Sequence, residues 1–93
     1  MVRLLADPAR AAIVDILAAG PACTCHLVDD LGLTQPNVSN HLRALRHAGV
    51  VKAEPYGRYT YYHLDADVLE AAAAHLTELA ARARAAADQR REC

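Results

Sequence analysis

Tryptophan and phenylalanine are absent from this 93-residue chain, so four tyrosines are its only large aromatic side chains. Much of the remaining apolar content is alanine, above all between Glu70 and Asp88. Alanine favours a helix but buries little area per residue, so this segment is a strong helix former and a weak core. We therefore expect one small domain, residues 1–93, whose core is completed by a second copy in a homodimer.

Long apolar runs are also lacking. No segment approaches the roughly 20 apolar residues that span a bilayer, and the N-terminal residues lack the apolar stretch of a signal peptide. The sequence thus predicts a cytoplasmic protein with no membrane partner. Thiols stay reduced in that compartment, so the three cysteines indicate metal binding or redox chemistry before a disulfide framework.

A strong overall charge is missing as well, since the formal net charge is −1. The charges are nevertheless unevenly distributed. Residues 35–62 carry four basic side chains and one acid, whereas the segments on both sides are acidic. A basic segment of this kind is typical of a surface that faces nucleic-acid phosphates.

The pattern of helix caps and apolar residues predicts a mainly α protein with one small β-hairpin. Asp7 and Pro8 are typical of a helix start, and Thr34 is the predicted N-cap of a later amphipathic helix. β-Branched and aromatic runs around Tyr56 and Gly57 predict the hairpin. Together these elements predict a winged helix-turn-helix: a helix-turn-helix over about 23–48, a wing over about 50–64 and a C-terminal dimerisation helix over about 67–88.

Three segments resemble the ArsR/SmtB family of metal-sensing winged-helix repressors: LADPAR, LGLTQPNVSNHLRALRHAGVV and GRYTYYHL. The resemblance runs from about Leu5 to Leu64, and TQPNVSNHL is its most specific part. It implies a homodimer that binds double-stranded operator DNA when metal-free and releases it when metal binds. Family members usually have an extra helix before the LADP segment, where this chain has only a few residues. Dimerisation would therefore depend more heavily on the C-terminal helix.

The predicted third helix carries polar side chains opposite its apolar stripe. Its N-terminal part is the end that reaches base edges in the major groove, where short amide and hydroxyl side chains fit. The predicted base-reading residues, which by resemblance occupy the family's operator-contacting positions, are Gln35, Asn37, Ser39 and Asn40. Arg43, Arg46 and Lys52 are predicted to contact phosphates, and Arg58 at the hairpin tip to enter a neighbouring minor groove. An ordinary solvated helix face would look similar, but the hairpin and the basic segment favour DNA binding.

Cys23 and Cys25 stand one residue apart at the start of the predicted second helix. Thiols so close in sequence are poorly placed for a disulfide, and residues i and i+2 of an ideal helix point about 200° apart. Both sulfurs can reach one ion only where the first turn is extended, and Pro21 upstream favours that distortion. A helix N-terminus also favours thiolates. The pair therefore predicts a soft-metal site whose occupation deforms the helix that supports the DNA-reading helix.

The resemblance places this pair where arsenic-sensing and cadmium- or lead-sensing family members hold their inducer. Arsenic-type sites often have a third cysteine where this chain has Val28, so one thiolate is missing. Cys93, from the tail of either protomer, would complete a three-sulfur site for As(III) or Sb(III). Alternatively, His26 or a water would complete a four-coordinate site for Cd(II), Pb(II) or Zn(II). A second candidate site, His75 with Glu78 on the C-terminal helix, fits an exposed polar face better.

Functions of other classes fit less well. No Gly-rich phosphate loop and no supported Ser-His-Asp or Cys-His arrangement indicates an enzyme. A metal chaperone would use the cysteine pair but leave the DNA-reading helix and the wing without a purpose. Two alternatives stay open for the pair itself: a thiol redox sensor on the same fold, or two small residues that pack and bind nothing.

Overall fold

The computed structural model describes residues 2–92, in which five helices surround a small sheet. In chain order the elements are α1 (Val2–Ala6), α2 (Pro8–Ala18), β1 (Ala22–Cys23), α3 (Thr24–Leu31), α4 (Gln35–His47), β2 (Val51–Tyr56), β3 (Tyr59–Leu64) and α5 (Ala66–Ala85). The strands form one antiparallel sheet in the order β1-β3-β2, in which β2 and β3 are the wing. The mainly helical winged helix-turn-helix predicted from the sequence is therefore confirmed.

Capping contacts define where two of the helices begin. The Asp7 carboxylate accepts hydrogen bonds from the main-chain N–H groups of Ala9 and Arg10, at 2.9 and 3.2 Å, at the start of α2. The Thr34 hydroxyl accepts one from the Asn37 N–H at 3.3 Å at the start of α4. First-turn N–H groups have no partner within their own helix, so both predicted caps satisfy donors that would otherwise need water.

One aliphatic core joins α2, α3, α4 and the sheet. Its buried members are Ile13, Leu17, Ala22, Leu27, Val38, Leu42, Leu45, Val50 and Val51. The predicted apolar stripe of α4, formed by Val38, Leu42 and Leu45, is at most 2% exposed. Because this stripe is held in the core, the opposite face of α4 is directed to solvent.

Strand β1 was not predicted from the sequence. Its two residues pair antiparallel with β3, with Ala22 opposite Tyr62 and Cys23 opposite Tyr61. A strand of two residues shows no alternating pattern, so only its partner strand reveals it. As a consequence, the second helix begins at Thr24 and leaves Cys23 in the sheet.

Helix α5 extends away from the core and gives the molecule its elongated shape, 59 × 23 × 20 Å. Val68 and Leu69 pack against the core, but no residue of α5 is buried, and Leu76 and Leu79 are 45% and 41% exposed. The helix ends at Ala85, three residues before the predicted boundary, while the unpredicted α1 adds a short helical turn before α2. Within residues 2–92, no helix combines the length and apolarity needed to cross a bilayer.

Candidate metal centre and nucleic-acid interface

The side chains of Cys23 and Cys25 meet where β1 is followed by α3. Cys23 is the N-cap residue, with an extended backbone (φ −91°, ψ 168°), and Cys25 lies in the first helical turn. Their Cα atoms are 5.4 Å apart and their sulfurs are joined as a disulfide. The prediction that thiols so close in sequence are poorly placed for a disulfide is wrong, because the extended backbone at Cys23 brings the two sulfurs together. The extended Cys23 is the distortion that a shared ion was predicted to need.

His26 lies directly beside Cys23. Its Nδ1 accepts a hydrogen bond from the Cys23 main-chain N–H at 3.2 Å and lies 3.3 Å from the Cys23 sulfur. When the ring is neutral, this contact assigns its proton to Nε2. One potential ligand atom from each of Cys23, Cys25 and His26 lies within 4.8 Å of the other two. In the described part of the chain, no other group of three potential ligands is this close.

This set of donors suits a soft or borderline ion, since thiolate and imidazole are ligands for Zn(II) and chemically similar metals. The sulfurs bind as thiolates, so the disulfide must be reduced before the site can hold an ion. Cys23 is buried, at 4% exposure, whereas Cys25 and His26 are exposed, so an ion can approach from solvent.

His75 and Glu78, the second candidate site, are not brought to these three residues. Cys93 lies outside the described residues. His75 and Glu78 are exposed on α5, and over residues 2–92 they belong to no cluster of three potential ligands. Among the described residues, the structure brings together Cys23, Cys25 and His26 as a candidate site. The sequence had left His26, Cys93 and a water open as the group that completes it.

The residues predicted to read bases lie on the solvent-facing side of α4. Gln35, Asn37 and Asn40 are exposed, and Ser39 is half-buried. The Arg43 guanidinium donates a hydrogen bond to the Asn40 side-chain carbonyl at 3.2 Å, one helical turn earlier. This contact holds the arginine along the helix, beside the residue that is predicted to reach a base.

The residues predicted to contact phosphates lie in three places. Arg46 is exposed near the end of α4, in a shallow basic surface with Arg43 and His47. Arg58 is exposed in the turn between β2 and β3, at the tip of the wing. Lys52 is on β2, with 63% of its side chain exposed. All of these cations can be reached from solvent.

Two contacts that orient these elements were missed by sequence reasoning. The Lys52 ammonium lies 3.1 Å from the carboxylate of Asp65, and Arg10 on α2 donates to Nδ1 of His41 on α4 at 3.2 Å. The Lys52–Asp65 ion pair and the Arg10–His41 hydrogen bond each join residues that are more than ten positions apart, which no local pattern indicates.

At the start of α2, the hydrogen bond from the Arg10 main-chain N–H holds the pKa of the Asp7 carboxyl below its ordinary value.

The cysteine pair and helix α4 border one open groove of about 400 Å³. Its lining includes Cys23, Cys25, Gln35, Ser39 and Arg58. Any group bound by the two sulfurs would therefore lie next to residues from both α4 and the wing.

A winged helix in which the second helix of the helix-turn-helix faces solvent is the architecture of helix-turn-helix DNA-binding proteins. Within that class, the family model described as bacterial regulatory protein, arsR family, matches residues 7–53, and the chain belongs to this family.

Individual relatives agree with this assignment. The chain is 39% identical over 67 residues to the arsenic resistance transcriptional regulator ArsR1 of Pseudomonas putida, with 71% of this chain and 52% of the relative covered. It is 47% identical over 64 residues to the transcriptional repressor SmtB of Mycobacterium tuberculosis, with 69% and 47% covered. The match thus spans about half the length of these two curated relatives.

A solved structure shares the fold over most of the chain. It is described as a possible transcriptional regulator for arsenical resistance and superposes with a TM-score of 0.75 at 30% sequence identity. The superposition covers 83% of this chain and 80% of the other. The two curated relatives are thus named as a transcriptional regulator and a transcriptional repressor, and the solved structure as a possible transcriptional regulator.

Proposed function

We propose that this protein is a metal- or metalloid-responsive transcriptional repressor. It binds double-stranded operator DNA as a homodimer when its thiol site is empty, and releases the DNA when an inducer binds Cys23 and Cys25. The observation that carries this proposal is the shared groove, in which both cysteines lie beside Gln35 and Ser39. The names of the two curated relatives, an arsenic resistance regulator and the repressor SmtB, support the same function. Because such a repressor acts on operator DNA, we propose that it works in the cytoplasm.

The DNA-binding part of the proposal divides the exposed residues by role. Gln35, Asn37, Ser39 and Asn40 read base edges from the N-terminal part of α4. Arg43, Arg46 and Lys52 contact phosphates, and Arg58 reaches a neighbouring minor groove from the wing. The solvent exposure of these cations and of the α4 face supports this division, since each group needs access to the duplex.

Two chemistries are proposed for the inducer. With Cys93 as a third thiolate, Cys23 and Cys25 form a three-sulfur site for As(III) or Sb(III). With His26 instead, the pair forms a site for Cd(II), Pb(II) or Zn(II), completed by water. The 4.8 Å cluster of Cys23, Cys25 and His26 favours the second arrangement among the described residues.

A redox-sensing repressor is the second candidate function, and the disulfide between Cys23 and Cys25 favours it. Peroxide would accept two electrons and two protons from the two thiols, which become the disulfide, while the peroxide becomes two water molecules. The oxidised state then replaces the metal-bound state as the form that releases DNA.

The test that separates these functions uses fully reduced, metal-free protein and a duplex selected by that protein from a random pool. As(III), Cd(II) or Zn(II) added to this sample should bind the protein stoichiometrically and lower its affinity for the duplex. In a parallel sample, a metal chelator is present and hydrogen peroxide is added. Release by metal with no release by peroxide supports the metal sensor, and the reverse result supports the redox sensor. Full retention of DNA in both samples would contradict both.

A further inference from the structure

Cys23 belongs to the same sheet as the wing. Its main chain pairs with Tyr61 on β3, and the strand runs from there to Tyr59, next to Arg58 at the tip. Tyr61 and Arg58 are three positions apart, which corresponds to roughly 10 Å at about 3.3 Å per residue. The thiol site and the wing tip are therefore connected along one strand.

Aromatic rings form a second connection between the same regions. The His26 ring meets Tyr61 edge-on, with ring centroids 6.1 Å apart, and Tyr61 meets Tyr56 edge-on at 6.0 Å. Tyr56 is the last residue of β2, next to the turn, and is 75% exposed. Edge-to-face pairs stabilise beyond the area that they bury. Tyr61 is thus the residue shared by the strand pairing and the ring contacts.

The two sides of Cys23 differ in how firmly they are held. Helix α3 is anchored by Leu27, which is fully buried in the core. Strand β1 also contributes a core residue, Ala22, but it has only two residues and lies at the edge of the sheet. Segments with few hydrogen bonds open at a lower free-energy cost than core elements do. We therefore expect a change at the Cys23 sulfur to shift β1 against β3 before it shifts α3 in the core.

We propose that Tyr61 is a positioning residue that couples the state of the Cys23–Cys25 site to the position of the wing and its Arg58. This inference rests on the proposed function and adds the wing as the element that moves. Nδ1 of His26 has a single lone pair, which the Cys23 N–H occupies. A ligand bound at Nδ1 displaces that N–H and turns the ring against Tyr61. Sulfur ligation or oxidation at Cys23 acts through the paired strand instead.

The first test compares two variants of the full-length, reduced protein. Tyr61→Val removes the ring but keeps a β-branched residue that suits a strand, and Tyr61→Phe is the matched control that keeps the ring. For each we would measure Cd(II) affinity, and affinity for the selected duplex with and without saturating Cd(II). Allosteric couplings are typically about 5–150-fold. We expect Tyr61→Val to reduce the Cd(II)-induced loss of DNA affinity by about fivefold or more.

For Tyr61→Val, the affinity for Cd(II) and the affinity for DNA without Cd(II) should stay within about threefold of wild type. For Tyr61→Phe, these two affinities and the DNA affinity with saturating Cd(II) should all stay within about threefold of wild type. An undiminished Cd(II) response in Tyr61→Val, or an equal reduction in Tyr61→Phe, would overturn the proposal. Should Tyr61→Val fail to fold, Tyr56→Val removes the exposed outer ring instead. Its Cd(II) response should also be reduced, and an unchanged response would count against the ring contacts.

A spectroscopic test is independent of DNA release. All four tyrosines lie in β2 and β3, so fluorine NMR of 3-fluorotyrosine-labelled protein reports on the wing alone. Cd(II), or peroxide oxidation of the cysteine pair, should shift the signals of Tyr61 and Tyr56, and the Tyr56 shift should disappear in Tyr61→Val. A Tyr56 signal that stays still in wild type, or moves equally in the variant, overturns the wing route even if metal releases DNA. Movement of Tyr56 without DNA release would instead count against the proposed function alone.

Discussion

The Lys52 ammonium and the Asp65 carboxylate form an ion pair of 3.1 Å between the wing and the helix that follows it. Asp65 is also the N-cap of α5, where its carboxylate accepts hydrogen bonds from the N–H groups of Asp67 and Val68. The hydrogen bond from Lys52 is the largest cause that lowers the pKa of the Asp65 carboxyl below its ordinary value of 3.8. One carboxylate therefore both starts α5 and holds it to β2.

Substitution of Asp65 should lower stability in a graded way. Asp65→Ala removes the helix cap and the ion pair, whereas Asp65→Asn keeps a capping side chain and removes only the ion pair. We expect the midpoint of thermal unfolding at pH 7 to fall in the order wild type, Asp65→Asn, Asp65→Ala. Asp67→Asn is the matched control within the same helical turn. Equal midpoints for the alanine and asparagine variants would show that the cap contributes nothing.

The same carboxylate should make stability depend on acid pH. Because its pKa is lower in the folded than in the unfolded state, the ionised group stabilises the fold in full above about pH 5. That contribution is lost as the pH falls through the folded-state pKa. Asp65→Asn does not titrate, so its unfolding midpoint should fall less than that of wild type between about pH 5 and pH 2. An identical acid dependence in the two proteins would contradict the assignment.

Removal of a phosphate-contacting arginine should weaken binding to all DNA alike. For Arg43→Ala and Arg46→Ala we expect a similar loss of affinity for the selected duplex and for random DNA. The slope of log affinity against log salt should become shallower by about 0.9 per lost phosphate contact. Arg84→Ala, an equal charge change on α5, is the control. A loss confined to the selected duplex would mean that these arginines read bases instead.

Base-reading residues should behave differently from those arginines. Gln35→Ala and Ser39→Ala should reduce discrimination between the selected duplex and random DNA, by about 1–3 kcal/mol for each good base contact. Their salt dependence should stay unchanged, because neither side chain neutralises a phosphate. Competition titrations at several salt concentrations would measure both quantities. If these variants and the arginine variants acted identically on both DNAs, the placement of α4 in the major groove would be wrong.

Loss of either sensor thiol should leave a repressor that cannot be induced. Cys23→Ser and Cys25→Ser should bind the selected duplex normally and stay bound when As(III) or Cd(II) is added, because a hydroxyl oxygen is a poor ligand for a soft ion. The coupling between metal and DNA is reciprocal, so the DNA-bound dimer should hold metal more weakly than the free dimer.

Cys93→Ser should weaken the As(III) response and leave some Cd(II) response if the tail sulfur is a ligand. A double variant lacking Cys23 and Cys25 that still released DNA would direct attention to His75 and Glu78.

The exposed stripe of α5 should form the dimer contact. Leu76→Glu combined with Leu79→Glu should convert the protein to a monomer at micromolar concentration, because two charges would be buried against an apolar partner surface. Thr77→Glu, on the neighbouring face, is the control and should remain dimeric. Sedimentation velocity measures both, and a chain truncated before Val68 should also be monomeric. In the intact dimer, the two DNA-reading helices should span half-sites about 34 Å apart.

The sequence alone determined most of the fold, because the signals involved are local. Asp7 and Thr34 cap helices through N–H groups two or three residues away, and the α4 stripe follows from a spacing of one or two turns. The wing follows from two strand-like runs around a glycine turn. The candidate metal pair and the polar face of α4 could also be found this way, since each lies within a few consecutive residues.

Only the tertiary structure decided how these parts meet. Cys23 enters a strand because β3 offers it a partner in Tyr61, a residue 38 positions later in the chain, and this pairing carries it out of the helix. That single placement brings its sulfur to Cys25, its main-chain N–H to His26, and the thiol site to the edge of the wing. Local propensity contains no information about such distant partners, because strand pairing is set by packing of the whole domain. The sequence therefore indicated the candidate ligands and the helix that is proposed to read DNA, and the fold brought them to one groove.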